Sequence, residues 1–560
     1  MIGGDMPALG IEDLVRGRTR FVHDLSLDGM LHARVVRPAR EAAKLAGVDE
    51  AAIGRLGQAG IEVVRDASFL AVAGADEWCV VAAAEELGRA TTWSLGPELD
   101  VTPLDRQLLE RPRESYPVID GTPTSAPVPP APEPPTIAAT TLRARYTRPY
   151  VMHGSIGPSA ALAVMEGGHL TVSTQSQGIY PLRASLAALL DLEPERITVL
   201  HALGAGCYGH NGADDAALEA ALVARALPSR PILLKWTRAD EHGWEPFGPP
   251  MVMDLAASLD GEGNVVAWSH EVMSDTHIAR PRPGTPGLGP ERLLATRYLG
   301  EGSPRPAPVA NMTHHGGIHR NAEPIYRFTD PHIVKHLVLG LPLRTSALRT
   351  LGAFANVFAI ESFIDELALA AGEDALAFRL RHLDDLRAAE VLRRAAEAIG
   401  WDRPRPEGCG RGLAMARYKA TKAYAAIGVE LSVPEDAGIR LHRAVVASDA
   451  GQIVDPDALR AQLEGGFLQA ASWTLLEAVA FDRDSVTSRD WESYPILGFD
   501  AVPEIETILV DRPGEPYLGA GEGAAVPTAA AIANAVFEAT GVRARRLPLT
   551  PETLRAAASE

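Results

Sequence analysis

Cysteine is nearly absent: Cys79, Cys207 and Cys409 are all that 560 residues contain, and they lie far apart. Such spacing excludes a CxxC pair, an iron–sulfur motif and a disulfide framework within the chain. Redox chemistry would need a bound group, and electrons would leave through something these residues do not supply. No uninterrupted apolar run reaches the length that spans a membrane. The stretch Met1-Ile-Gly-Gly-Asp-Met-Pro7 has neither a basic n-region nor an apolar h-region. No signal peptide is read there, so the cytoplasm is the default location, with the periplasm open to co-export beside a partner. Basic residues are in deficit, Lys+Arg 53 against Asp+Glu 72, a net charge of −19. An acidic surface argues against nucleic acid or an anionic membrane as a general partner.

What is present is ordinary globular material, 46% apolar and 22% charged. The length exceeds what one core serves, so about three or four domains are expected. Residues 10–120 read as a small α+β unit. Its strand patterns are Arg20-Phe-Val-His-Asp, Met30 to Val36, Ile61 to Val64 and Phe69 to Ala73, with a helix from Ala75 to Ala90. Residues 121–136 carry proline so densely that neither helix nor ladder forms, which marks a polyproline-like linker. A second unit, 137–398, holds a strand Leu170–Thr174, a helix Ile179–Leu190, a strand Arg196–His201, a helix Asp214–Ala226 and further strands. It also holds a proline-rich excursion, Pro281–Pro308, of loop composition, and a helix Ala353–Ala371. Residues 399–560 form a third, with strands near Ala425–Leu431 and Ile439–Ala447 and a helix from Pro456.

Two glycine loops stand out. Gly204-Ala-Gly-Cys-Tyr-Gly209 fits G-x-G-x-x-G between a strand and a helix, the pattern of a dinucleotide site. The loop runs on through Gly212, longer than a tight phosphate turn, and lies mid-chain. Gly519-Ala-Gly-Glu522-Gly-Ala-Ala-Val-Pro527 sets one carboxylate among three glycines just before an apolar helix that Gly541 would cap. Glycines pass close to a bulky group or take positive φ without steric cost. Glu522 is therefore a candidate general base beside a bound group; a solvated glutamate in a tight turn is the alternative.

Five further segments are distinctive: Arg20-Phe-Val-His-Asp-Leu, Gly29-Met-Leu-His-Ala-Arg, Arg143-Ala-Arg-Tyr-Thr-Arg-Pro-Tyr-Val-Met-His-Gly, Leu343-Arg-Thr-Ser-Ala-Leu-Arg-Thr-Leu-Gly352 and Asn534 to Pro551. Together they resemble the molybdenum-binding large subunit of the xanthine dehydrogenase/aldehyde oxidase family, in the branch that includes isoquinoline oxidoreductase and nicotinate dehydrogenase. The resemblance implies an α+β fold: an a/b hammerhead domain at 10–120, then mixed α/β molybdopterin-binding domains at 137–398 and 399–560, the latter partial. Its residues carry over one by one. Gln175 matches the glutamine that hydrogen-bonds an oxygen ligand of molybdenum. Tyr208 and Gly209 match the aromatic–glycine step beside the metal centre, an alternative reason for the first glycine loop. Arg349 matches an arginine that orients substrate in some members. Gln462 and the stretch from Asp449 to Pro456 match segments that cradle the pterin. Gly519, Gly521, Gly523 and Ala524 surround Glu522, which matches the catalytic glutamate. No protein side chain is expected to ligate the metal, which the pterin holds.

The implied protein is the catalytic subunit of a hydroxylase that oxidises an aldehyde or N-heteroaromatic C–H with oxygen from water. Its cofactor would be molybdopterin, as the cytosine dinucleotide, with molybdenum. A small [2Fe-2S] subunit would take the electrons, and a flavin or cytochrome subunit would be a further acceptor. The chain departs from the family twice: it has Ser448-Asp449 and Asp455-Pro456 where many members have a cysteine and an Asn-Pro, and it has no Gly-Gln-Gly segment to grip the pterin dinucleotide. That absence leads to the expectation that a separate chain supplies the segment. Two other readings stay open, a cofactor-free paralogue acting as scaffold and a dinucleotide-dependent dehydrogenase using the Gly204–Gly209 loop.

Overall fold

The fold is that of a computed structural model, which describes residues 2–4, 8–436 and 438–559. Three sheets organise it. A seven-stranded sheet runs in the order Ile197–His201, His169–Thr174, Ala160–Glu166, Ile232–Lys235, Leu31–Val35, Phe69–Gly74, Glu62–Asp66. Leu31–Val35 pairs in parallel with Ile232–Lys235, so strands from both sides of the proline-rich segment share one sheet. A six-stranded sheet does the same: Thr122–Pro123 pairs with Arg113–Ile119, which pairs with His332–Val338 and leads on to Val265–Ser274, Met251–Leu259 and Thr140–Arg148. The third sheet is four-stranded, Cys409–Arg417, Tyr424–Ser432, Arg440–Asp449 and Glu504–Val510.

One apolar core joins the second and third sheets. The helix Ala353–Ala371 sends Phe354, Phe358 and Phe363 into it from one side, and the helix Thr528–Thr540 brings Ile532 and Val536 from the other. Two glycines make the second contact close enough. A Cβ on Gly410 would fall 2.1 Å from the Ala535 carbonyl oxygen, and one on Gly412 2.0 Å from that of Ala531. Only a bare backbone lets this helix lie on the strand. The seam also buries charge. Glu361 accepts from Arg379 at 3.0 Å, from the Tyr326 hydroxyl at 2.5 Å and from the Met415 N–H at 3.1 Å. A buried carboxylate with a guanidinium and two further donors is satisfied rather than orphaned.

The helix Ile179–Leu190 falls where the apolar spacing sets it, and Gly541 caps Thr528–Thr540 in the left-handed conformation. Arg20–Asp24 is not a strand. The Asp24 carboxylate accepts from the Phe21 N–H at 3.0 Å and folds the segment into a single 3₁₀ turn, a side-chain competition that alternation alone hides. The excursion 281–308 is irregular apart from two short 3₁₀ turns, Pro290–Arg292 and Leu294–Arg297. Among the described residues no helix is long and apolar enough to cross a membrane.

Candidate active site

Two backbone segments in unusual conformations build one wall. Tyr208 has φ 55° and Gly209 φ 136°, and across from them Thr350 and Leu351 have φ 79° and 53°. For residues other than glycine these angles cost about 1–3 kcal/mol each and persist only where the surroundings enforce them. The enforcement is visible. The Arg349 N–H donates to the Tyr208 carbonyl at 2.8 Å, and Gly209 bridges Leu348. A Cβ on Gly209 would lie 2.0 Å from the Ala347 oxygen, so glycine is required there.

That same Ala347 oxygen accepts from the His210 N–H at 2.8 Å and from His153 Nε2 at 2.9 Å. The other ring nitrogen of His153, Nδ1, lies 2.9 Å from a carboxylate oxygen of Glu245, and the ring is buried. Burial pushes its pKa down, but the charge and hydrogen bond of Glu245 and the Ala347 carbonyl outweigh that and leave it raised.

The strained turn aims the Thr350 N–H at Glu522, whose Oε1 accepts it at 2.7 Å. The Tyr418 hydroxyl accepts from Arg320; burial, then the charge of Glu522, raise that phenol's pKa. Arg349 fastens the glycine loop to the helix Pro456–Leu475. Its Nε donates to the Gly521 carbonyl at 3.0 Å, and its other nitrogens reach Gln469 Oε1 at 3.0 Å and the Gln462 carbonyl at 3.4 Å. Burial lowers its pKa, with Glu522 pulling the other way.

These elements enclose a cavity of about 870 Å³ lined by Tyr208, Gly209, Arg349, Gln462 and Glu522, with Leu468, Trp473, Ile496, Leu497 and Phe499 as an apolar side. Five of the sequence-predicted residues thus meet at one cavity. Gln175 does not line it; its neighbour Gln177 does. Gln175 is 2% exposed behind the glycine loop, and neither end of its amide has a hydrogen-bond partner. A buried amide left unpaired costs about 1–3 kcal/mol and calls for an explanation.

The loop before the helix supplies a second such observation. None of Gly519, Gly521 and Gly523 has a positive φ, and a Cβ on any would meet no protein atom closer than 3.5 Å. The fourth neighbour, Ala524, is packed in the core, but protein packing gives no reason for three glycines around Glu522. A group seated against them would.

Sequence reading missed Glu477. It lines the cavity, is 3% exposed, and accepts from the Tyr494 hydroxyl at 2.7 Å and from Ser472. Burial raises its pKa to about 7. It lies just past a helix that runs to Leu475, and nothing in its local pattern marks it as buried. Asp449 is buried and paired with Arg387 and Arg512.

The first glycine loop does not present a phosphate cradle. Gly204 makes room for Gln175, Gly206 for the Tyr208 ring and Gly209 for Ala347, each with a protein atom within 2.7 Å of the missing Cβ.

Residues 136–285 and 382–503 each match a molybdopterin cofactor-binding domain. A chain of the nicotinate dehydrogenase from Pseudomonas putida is 36% identical over 582 residues, covering 100% of this chain and 47% of that protein. The beta subunit of isoquinoline 1-oxidoreductase from Brevundimonas diminuta is 27% identical over 65% of this chain and 44% of its own length. The chain thus spans about half the length of these curated relatives. Quinoline 2-oxidoreductase from Pseudomonas putida 86 superposes with a TM-score of 0.80 at 15% identity, covering 100% of this chain and 98% of that one. With two cofactor-binding domains and a relative aligned along its whole length, this chain carries molybdopterin-binding domains of the xanthine dehydrogenase family.

Proposed function

We propose that this chain is the molybdopterin-binding, catalytic part of a hydroxylase that oxidises an aldehyde or N-heteroaromatic C–H with oxygen from water. The observation that carries the reading is Glu522: a carboxylate on the cavity wall, oriented by the Thr350 N–H, among glycines that packing does not explain. The residues present fit the group. The Gln175 amide has an unused donor and acceptor, Gln462 lies against the glycine loop, and about 870 Å³ is available. When bound, the molybdenum–pterin group supplies water-derived oxygen to the carbon and takes up two electrons. The chain's part is positional. Glu522 accepts a proton as general base, the Tyr208–Gly209 and Leu348–Leu351 segments form a fixed wall, and Trp473, Leu497 and Phe499 give a flat substrate an apolar face.

The cytosine dinucleotide form of the cofactor, a [2Fe-2S] electron-accepting subunit with a flavin or cytochrome beyond it, and a further polypeptide contacting the cofactor are parts of the same proposal. The multisubunit character of the named relatives supports them. A scaffold paralogue would have no need to hold Glu522 in this way, and a dinucleotide dehydrogenase would need the Gly204–Gly209 space that protein fills.

The test is Glu522→Gln in the co-purified complex. Loss of a positioned general base lowers turnover by about 10²–10⁴-fold while molybdenum content stays. Full turnover with the cofactor retained would sink the proposal.

A further inference from the structure

The proline-rich excursion has no part in the site above, yet it closes a second cavity of about 490 Å³ against the segment around Thr345. Four guanidiniums line it: Arg292, Arg297 and Arg305 from the excursion, and Arg344 from the facing segment. In a chain of net charge −19, four arginines on one cavity do not follow from composition.

The carboxylates nearby do not balance them. Glu41 serves both Arg297 and Arg305, and Asp215 accepts from Arg344 Nη2 at 2.6 Å. Arg292 reaches only carbonyl oxygens, those of Gly287 at 2.6 Å and Ala307 at 2.5 Å. Asp275, an acid that lines the cavity itself, is desolvated and its pKa is pushed up to about 6, so it is a weak counter-charge. Two of the four cations are almost fully enclosed, the Arg297 side chain 6% exposed and that of Arg344 9%. Each keeps a buried Nη1 with no hydrogen-bond partner. The guanidinium is planar and keeps its charge, so four of them lining one cavity suit an oxyanion.

From this juxtaposition we propose that the cavity is an accessory site for a small molecule bearing a phosphate or carboxylate group, held by Arg292, Arg297 and Arg344 with Arg305 at the rim. The volume is that of a small-molecule pocket and exceeds what a lone inorganic ion fills. The site backs onto the wall described above. His210 and Thr345 line it, while their neighbours Gly209 and Ala347 line the larger cavity. An occupant would brace that wall from behind. The proposal is independent of what the larger cavity binds.

Calorimetric titration of the purified full chain, with whatever co-purifies, tests it at fixed ionic strength, with inorganic phosphate in one arm and succinate in the other. Saturable binding of either probe is expected, and the stronger arm tells phosphate ester from carboxylate. Arg344→Gln disturbs the buried Asp215 and risks misfolding, so the deciding variant is Arg292→Gln, which breaks no ion pair. It should weaken the binding by about tenfold or more, the loss of a charge-assisted contact. No saturable binding of either probe up to ~10 mM, or equal binding in Arg292→Gln and the parent, would overturn the proposal.

Discussion

Two glycines that look alike in sequence should respond in opposite ways to the same methyl group. Gly209 has φ 136°, and its added Cβ would lie 2.0 Å from the Ala347 oxygen. Backbone strain of about 1–3 kcal/mol and overpacking of about 1–3 kcal/mol add, so Gly209→Ala should lose roughly 2–6 kcal/mol of stability. Gly521 has no positive φ and its Cβ would sit 3.5 Å from Gln462 Oε1, an ordinary contact. In protein made by a host unable to synthesise the molybdenum cofactor, Gly521→Ala should unfold with the parent in a denaturant titration, while Gly209→Ala unfolds earlier. In protein from a competent host, Gly521→Ala should lose cofactor, because the methyl now meets the pterin group. An overpacking cost of about 1–3 kcal/mol translates to roughly 5- to 150-fold weaker retention. The readouts are denaturation midpoint and molybdenum per chain. If Gly521→Ala destabilises the cofactor-free protein as much as Gly209→Ala does, or keeps its full molybdenum, the reasoning about this loop is wrong.

Glu477 titrates from about 7 in the folded chain against an ordinary 4.5. A raised folded pKa means stability is fully present below the unfolded value and declines as pH rises through the folded one. The decline between pH 4.5 and 7 amounts to about 3 kcal/mol. Glu477→Gln should remove that slope in melting curves taken across the range, and an unchanged slope would count against a buried neutral carboxyl. The same sign holds for His153: its raised pKa gives stability present below pH 6.5 and lost on going alkaline, and His153→Gln should flatten that loss. Arg379→Leu leaves Glu361 buried and unpaired and should cost about 3–5 kcal/mol in denaturant titrations; a cost near zero would show that water reaches the seam.

The chain disclosed its site more fully than its assembly. Glu522, Tyr208, Gly209, Arg349 and Gln462 sit in short stretches whose glycines and turn residues are local signals, and the five converge on one cavity. Helices that are predominantly apolar along one continuous stretch, such as Ile179–Leu190 and Ala353–Ala371, were legible as local signals too. What escaped depends on contacts between residues distant in sequence. Leu31–Val35 pairs with a strand about 200 residues away, so the sheet it joins cannot be read from its neighbourhood. Glu477 and the His153–Glu245 pair are single polar residues made special by burial that other segments impose. Arg349 shows a further limit: sequence gives its type, while its bonds to Gly521, Gln462 and Gln469 depend on where a helix and a loop meet.

The central claim is that this cavity holds a molybdenum–pterin group beside Glu522. Metal and cofactor analysis of the chain purified with the subunits that accompany it tests that most directly. The account predicts stoichiometric molybdenum with a pterin, and no nicotinamide on this chain. A complex with its subunits intact that carries no molybdenum, or a nicotinamide or flavin bound at the Gly204–Gly209 loop, would contradict it.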